Sequence, residues 1–482
     1  MTGHEPKPKD HVDATSQRLF SDAAARAGFY AIAFGFFLVV LDTTALNVAI
    51  GAMQREFGSS VTRLQWVVNS YTMVFASLLL TCGAIGDRFG PRRFYQLGLM
   101  LFTGMSLMCA LSPGVNFLIG MRVLQGLGAA IMLPASLALL SHAFPHPEER
   151  AKAVSNWAAI VSLGFAAGPV LGGVLTNFFG WRSIFWMNVP IGIAALVLVK
   201  LFVTEATERN RHHIDWLGQA LICTALFCIT YALIEAGGEG WTAPKVLIAE
   251  GAAILLAIGF LLVEKRSEAP VLPGFLFANA TFSVCIAIGV ILNFGTYGVL
   301  FVESIYLQSA RHLNPFHAGM VILPLTLLPT ITTRLAVKYA GRKHLKARLV
   351  MGQLIAAAGA VVLFFTLRDS GFWTIVAGLA LMGVSMGCVM PAITAGVLAS
   401  SPKENSGVAS GILNSARQVG GTLGVAVMGS LYQRSERQGL LTSFGLVLIT
   451  FVLMAAITWY AMAQRTSENA GPIVETGKRK PA

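Results

Sequence analysis

Gly126-Leu-Gly-Ala-Ala-Ile-Met-Leu-Pro134-Ala returns as Gly383-Val-Ser-Met-Gly-Cys-Val-Met-Pro391-Ala, 257 residues further along the chain. Each copy is followed by a short polar loop, Pro147-Glu148 after the first and Pro402-Lys-Glu404 after the second. Both copies sit in long apolar stretches of a chain that is 55% hydrophobic and only 12% charged, about half the charge of a soluble domain. Such a chain faces lipid. Its apolar runs are unbroken rather than alternating, which excludes a transmembrane β-barrel and leaves an all-α membrane protein.

Loops with Pro, Gly or charge cut the sequence into fourteen stretches of the roughly 17–25 residues that a span requires, the first near 28–50 and the last near 439–463. The repeat offset nearly equals the distance from the first stretch to the ninth. Six spans therefore recur in one orientation, the parallel-repeat arrangement of many secondary transporters. Stretches near 216–234 and 246–263 form an extra central pair, and an even insertion leaves the orientation of the second half unchanged. The expected organisation is a tail at 1–26, a six-helix half at 27–203, a linker carrying two extra spans at 204–270, a second six-helix half at 271–464, and a tail at 465–482. Both tails are polar and are read as disordered.

Charge orients the bundle. With the N-terminus inside, cytoplasmic segments hold 25 of the 35 Lys and Arg residues and external ones hold eight, the bias that retention of Lys and Arg on the cytoplasmic side produces. The net charge of +12 is thus a matter of topology and not of nucleic-acid binding. All six cysteines lie in apolar stretches with no CxxC pair or metal-ligand spacing, so neither a disulfide nor a metal site is indicated. No G-x-x-x-x-G-K-[ST] loop, HExxH or Ser-His-Asp arrangement is present. The chain reads as a non-enzyme without a cofactor, energised by an ion gradient.

Charge within the hydrocarbon layer is costly and marks a functional site by default. Asp42 lies about 21 Å into the first span from the cytoplasmic side, at 1.5 Å per residue. Arg122 lies about 10 Å into the fourth span from the other side, which brings the two to one level of a core roughly 30 Å thick. An ion pair follows, either a proton-coupling device in which Arg122 keeps Asp42 ionised until a proton or substrate displaces it, or a static packing element. Arg417 sits about 16 Å into the thirteenth span without an obvious acidic partner. Two deep arginines then stand against one deep acid, so a cavity holding all three has little negative potential to attract a dication. Glu303 and Glu250, near outer span ends, read first as rim residues that snorkel to the interface.

Two glycine-rich segments complete the pattern. In Gly83-Ala-Ile-Gly-Asp87-Arg88-Phe-Gly90-Pro-Arg92-Arg93, the glycines permit a tight turn while Asp87 can pair with the arginines or with a helix end. This is either a basic loop that fixes topology or a latch that closes the cytoplasmic side. In Gly164-Phe-Ala-Ala-Gly168-Pro169-Val-Leu-Gly172-Gly173, glycines every four residues line one helix face and Pro169 loosens the backbone. That face serves plain helix packing or a seam between the halves that seals and opens.

These segments, with Arg122-Val-Leu-Gln125-Gly126, Leu41-Asp42-Thr43-Thr44-Ala-Leu-Asn47-Val48-Ala49, Trp181-Arg182-Ser-Ile-Phe185-Trp-Met-Asn188-Val-Pro190 and Arg417-Gln418-Val-Gly420-Gly421, resemble the major facilitator superfamily. The branch they resemble is that of the fourteen-span drug:proton antiporters of the EmrB/QacA type. The resemblance covers about residues 28–463 and implies the major facilitator fold in a bacterial cytoplasmic (inner) membrane, with both termini cytoplasmic. It implies proton-coupled multidrug efflux of lipophilic, cationic or zwitterionic small molecules by alternating access, with protons and the lipid bilayer as partners and a periplasmic adaptor as a candidate partner. Under it, Asp42 and Arg122 couple protons, Gly83, Asp87, Arg88, Gly90, Arg92 and Arg93 form the latch, and Gly164, Gly168, Pro169, Gly172 and Gly173 form the antiporter motif. Asn47, Gln125, Arg417 and Glu303 are candidates for the substrate pathway. The alternatives are a dedicated exporter of one physiological metabolite, such as a siderophore, lipid or peptide-like product, and a non-transporting membrane sensor.

The fourteen-span topology is checked by cysteine labelling. Tags within 204–215 and 264–270 react only from the cytoplasmic side and one at Gly238 only from outside; a Gly238 tag unreachable from outside makes 216–263 a cytoplasmic insertion.

Overall fold

A computed structural model of the chain describes residues 23–144, 146–205, 215–267, 270–339, 345–369, 371–402 and 405–468. Among these are fourteen helices of twenty or more residues: α1 (Ala23–Phe57), α2 (Val61–Phe89), α3 (Pro91–Ala110), α4 (Val115–Ala143), α5 (Pro147–Phe179), α6 (Arg182–Phe202), α7 (Trp216–Glu239), α8 (Pro244–Glu264), α9 (Ala280–Ser309), α10 (Pro315–Tyr339), α11 (Leu345–Asp369), α12 (Phe372–Ala399), α13 (Ser406–Arg434) and α14 (Glu436–Glu468). Twelve of them are long and apolar enough to cross a membrane. The other two, α3 and α13, are long enough but less apolar, each carrying two arginines. The polar tails expected at 1–26 and 465–482 lie outside the described residues except where α1 and α14 extend into them.

Local sequence sets the helix ends. Proline occupies the first turn of α3, α5 and α8, where its missing N–H costs nothing. Gly90, Gly180 and Gly240 follow α2, α5 and α7 with φ of +100°, +80° and +100°, a backbone region that a side chain disfavours. The Asp215 carboxylate accepts from the Gly218 N–H at 2.8 Å to start α7, and Asn279 does the same for α9 from Thr281 at 3.0 Å.

The packing repeats. In the N-terminal six helices, α1 packs on α5 and α6, α4 on α2 and α3, and α3 on α6; eight helices later, α9 packs on α13 and α14, α12 on α10 and α11, and α11 on α14. The two sets meet most extensively through α2 against α13 and α5 against α10, a pair of contacts that the same repeat interchanges, and also through α1 against α9. The sequence echo has a structural basis: a Cβ on Gly126 would lie 2.5 Å from the Tyr71 carbonyl of α2, and one on Gly383 would lie 2.6 Å from the Pro324 carbonyl of α10. Of the inserted pair, α7 touches both α2 and α13, while α8 packs on α7 and turns Ile248 and Leu255 outward.

The glycine face of α5 has a definite partner. Gly164 backs onto the Phe37 carbonyl, Gly168 onto the Thr44 side chain and Gly172 onto the Ala45 carbonyl, all on α1. The seam between halves expected for this face is therefore, for these three residues, a contact inside the N-terminal set. Gly173, about 100° further round the helix, faces the Pro315 carbonyl at the start of α10, and Gly319 of α10 backs onto the Pro169 carbonyl. The counterpart in the second set is Gly420 and Gly424 of α13 against the Val290 and Phe294 carbonyls of α9.

Gly168→Val forces a side chain into the space of Thr44, and Gly420→Val forces one into the Val290 carbonyl, at about 1–3 kcal/mol or more each. Both lower the melting temperature of the purified protein. Gly445→Val, at a position with nothing within 4 Å, leaves it within a degree or two.

Candidate functional site

Asp42 of α1 and Arg122 of α4 meet in the interior of the N-terminal set, 0% and 1% exposed. Arg122 donates from one terminal nitrogen to Asp42 Oδ2 at 2.5 Å and to Gln125 Oε1 at 2.9 Å. Its Nε donates to the Val67 carbonyl of α2 at 3.2 Å, and its guanidinium lies 4.1 Å from the centre of the Tyr71 ring. Asp42 Oδ1 accepts from Asn188 of α6 at 3.0 Å and from Gln125 at 3.5 Å. Asn188 also donates to Ser106 Oγ of α3 at 3.0 Å, and that hydroxyl donates to the Phe185 carbonyl at 3.0 Å. Groups from α1, α2, α3, α4 and α6 thus join in one network, with α4 and α6 bonding the carboxylate itself. Both of its oxygens are satisfied, the condition under which a buried pair is tolerated.

Gln125, a candidate for the substrate pathway, belongs to this network. Asn47, one and a half turns above Asp42, is buried instead between the two sets: its Nδ2 donates to the Thr43 carbonyl at 2.8 Å and its own carbonyl accepts from Ser304 Oγ of α9 at 2.6 Å. Gln308 of α9 donates to the Val48 carbonyl at 2.8 Å. Across the α2–α13 contact, Thr62 donates to Gln433 at 2.6 Å, and Gln65 donates to the Val425 and Ala426 carbonyls at 3.0 and 2.8 Å. These bonds all lie toward the end of the bundle where α1 finishes and α2 begins. Glu303, beside Ser304, is 2% exposed. The rim position expected for it is thereby corrected, because α9 turns this side chain into the packed interior near the seam and not outward.

Arg417 of α13 is only partly exposed, and no carboxylate among the described residues pairs with it. One terminal nitrogen donates to Asn414 Oδ1 at 3.1 Å, and Nε is buried without a hydrogen-bond partner.

The glycine-rich turn between α2 and α3 has a specific acceptor. The Glu205 carboxylate, just beyond α6, accepts from the backbone N–H groups of Arg92 at 3.1 Å and Arg93 at 3.3 Å, and lies 3.7 Å from Arg93 Nε. Arg92 also donates to the Lys200 carbonyl at 2.7 Å. Glu205 therefore caps α3, where an acid is favoured, and a Cβ on Gly90 would strike it at 2.7 Å. Gly83 faces the Pro134 ring and Arg88 is exposed. The Asp87 side chain lies outside the described residues.

Sequence reasoning alone overlooked Asn188, Ser106, Tyr71 and Glu205 as site residues. A polar amide two residues before Pro190, in an otherwise apolar helix, was the available signal for Asn188. Glu205 carried none, because its role depends on where α6 ends in space.

Removing one member of a buried pair leaves an uncompensated charge at about 3–5 kcal/mol. Arg122→Ala therefore lowers the melting temperature more than Asp42→Asn, which keeps shape and neutralises the site, and adding Asp42→Asn to Arg122→Ala recovers stability. Additive losses in this double-mutant cycle would show that the two residues do not depend on each other.

Comparison with known proteins agrees with this architecture. The family model of the Major Facilitator Superfamily matches residues 32–425. The methylenomycin A resistance protein of Bacillus subtilis is 34% identical over 435 residues, covering 90% of this chain and 93% of that protein. The multidrug resistance protein Stp of Mycobacterium tuberculosis is 35% identical over 83% of this chain and 74% of its own length. The tetracenomycin C resistance and export protein of Streptomyces glaucescens is 35% identical, with the same two coverages. Among solved structures, a peptide transporter in complex with sulfate aligns with a TM-score of 0.68 at 16% identity, covering 90% of this chain and 94% of that one. A D-xylose-proton symporter aligns with a TM-score of 0.66 at 14% identity, covering 91% and 98%. Sequence and fold together make this all-helical, multi-pass membrane protein a transporter of the major facilitator superfamily.

Proposed function

We propose that the chain is a proton-coupled multidrug efflux antiporter that exports lipophilic small molecules, cationic or zwitterionic, by alternating access from the bacterial cytoplasmic membrane. The observation that carries this reading is the Asp42–Arg122 pair, closed off at 0% and 1% exposure inside one set of helices. A static packing element needs no titratable pair in hydrocarbon, and apolar residues of similar volume would serve it as well or better. Protonating Asp42 removes the charge that holds Arg122, whose remaining bonds run to α2 and to Gln125 of its own helix. The proton thus loosens α1 from α4 at a point from which α2, α3 and α6 are also held. Export of drugs is supported by the relatives, which are named for drug resistance, multidrug resistance and export.

In this reading all fourteen long helices span the membrane, and residues 27–203 and 271–464 move against each other as two bodies. With both termini in the cytoplasm, the hydrogen bonds from α9 to Asn47 and Val48 seal the external side, so this form faces inward. The turn at Gly83, Asp87, Arg88, Gly90, Arg92 and Arg93 then acts as the cytoplasmic latch, and Gly173 with Pro169 rides on the moving seam. A second reading, a dedicated exporter of a single natural product, is favoured by one observation: two of the relatives carry the name of one antibiotic each.

Asp42→Asn tests the coupling, since it removes the titrating group and almost no volume. Reconstituted in proteoliposomes under a pH gradient alone, the variant is correctly inserted but exports dye at no more than about a hundredth of the wild-type rate, the loss expected when a required proton transfer is removed. Wild-type export by this variant would refute the assignment.

A further inference from the structure

Arg417 is the one deep cation whose charge the described residues leave unanswered. Asp42 is held by Arg122 at 2.5 Å and by Asn188 at 3.0 Å, so its charge is already answered inside the N-terminal set. Glu303 is too far along the bundle. The Gly289 Cβ position lies 3.2 Å from Arg417 Cγ, which fixes the level of Arg417 on α9, and Glu303 is fourteen residues beyond Gly289, or about 21 Å of helix rise. What Arg417 does have is Asn414 Oδ1 at 3.1 Å on one terminal nitrogen, a buried Nε with no partner, and partial exposure.

Its surroundings are aromatic and lie on the boundary between the two helix sets. Gly421, one turn above Arg417 on the same face of α13, leaves room for the Tyr297 ring, to which its Cβ would come within 3.2 Å. Tyr297 in turn meets Phe165 of α5 edge-on, with ring centres 6.3 Å apart, so an aromatic pair bridges the sets beside the guanidinium. A guanidinium at mid-membrane depth is costly until an anion answers it, and its planar fork matches a carboxylate with two parallel hydrogen bonds.

We propose that Arg417 is the acid-recognising residue of the transport path and that the protein takes lipophilic solutes carrying a carboxylate, the acid on Arg417 and the aromatic body against Tyr297 and Phe165. The inference rests on the reading of the chain as a transporter of lipophilic compounds. Within the cationic and zwitterionic solutes of that reading it favours the zwitterions, and makes a bare monocation the poorer ligand.

The test uses rhodamine B, which bears a free carboxylate, and rhodamine B ethyl ester, which has the same ring system with the acid capped. Binding is read by fluorescence anisotropy on the full-length protein in phosphatidylcholine nanodiscs, with empty nanodiscs subtracted and no pH gradient. Wild-type protein binds rhodamine B about tenfold more tightly than the ester, the worth of one charge-assisted hydrogen bond to a desolvated partner. Arg417→Gln weakens rhodamine B to the level of the ester and leaves the ester unchanged. Arg417→Lys, which keeps the charge without the fork, gives an intermediate ratio and guards against a misfolded glutamine variant. Equal affinities in the wild type, no binding of either dye, or equal weakening of both dyes by Arg417→Gln overturns the proposal. So does a preference that vanishes in phosphatidylglycerol nanodiscs, which would assign Arg417 to lipid phosphate. Because binding is measured without a gradient, loss of pumping in Asp42→Asn and loss of acid preference in Arg417→Gln are separate results.

Discussion

A carboxylate and a guanidinium in hydrocarbon each need the other, and each needs its remaining hydrogen-bonding positions filled as well. Asp42 and Arg122 meet that requirement only by recruiting Asn188, Gln125, Ser106 and the Val67 carbonyl from α6, α4, α3 and α2. The pair consequently decides how α2, α3, α4 and α6 are arranged about α1. Lipid supplies no hydrophobic drive between helices, so such polar ties, together with close backbone approach, carry more of the specificity than they would in water.

Close approach is the other half of that specificity, and it follows the repeat. Glycines let α5 pack on α1 and α13 pack on α9, and others let α4 reach α2 and α12 reach α10. The ion pair does not follow it. Its sequence counterpart in α12 is not charged, and the cation of the second set, Arg417, has moved to α13. Architecture is thus duplicated, while charge is not: the first set holds a neutralised pair, and the second holds Arg417 on α13 and the buried Glu303 far along α9. Asp42 and Arg122 are thus sealed inside one set, whereas Arg417 lies beside the Tyr297–Phe165 pair on the boundary between the two.

Much of this was legible in the sequence because bilayer thickness imposes a strong period on composition. The apolar stretches, the duplicated Gly126–Pro134 and Gly383–Pro391 segments, and the common level of Asp42 and Arg122 all follow from length, hydropathy and a fixed rise per residue. Which neighbour a helix face meets does not. The four-residue glycine spacing of α5 correctly marks a close contact, yet only the packing of α1 tells that Gly164, Gly168 and Gly172 meet it and that Gly173 meets α10. Glu303 fails for the same reason: distance from a span end gives depth, whereas rotation about the helix axis decides between interior and interface. Glu205 lay furthest from reach, since its role as the cap of α3 arises from a chain turn at the end of α6.

The inserted pair makes the two most extensive contacts between the sets unequal. At the α2–α13 contact, α7 lies across both helices; at the α5–α10 contact, neither inserted helix is packed in the same way. The polar ties of α7 are themselves divided along its length. Near its start, Gln219 bonds to Thr81 and to the Ser77 carbonyl, both on α2. Near its end, Glu235 accepts from Trp66 of α2 at 3.3 Å, while the Ala236 carbonyl accepts from Arg434 of α13 at 3.2 Å. A helix bonded to both sets at one end and by hydrogen bonds to one set alone at the other resists separation where Ala236 lies and permits it where Gln219 lies. The asymmetry of α7 therefore ties the two sets by hydrogen bonds at the end that carries the seam of Asn47 and Ser304, and at the opposite end leaves the α2–α13 contact to packing such as Leu80 against Gly411.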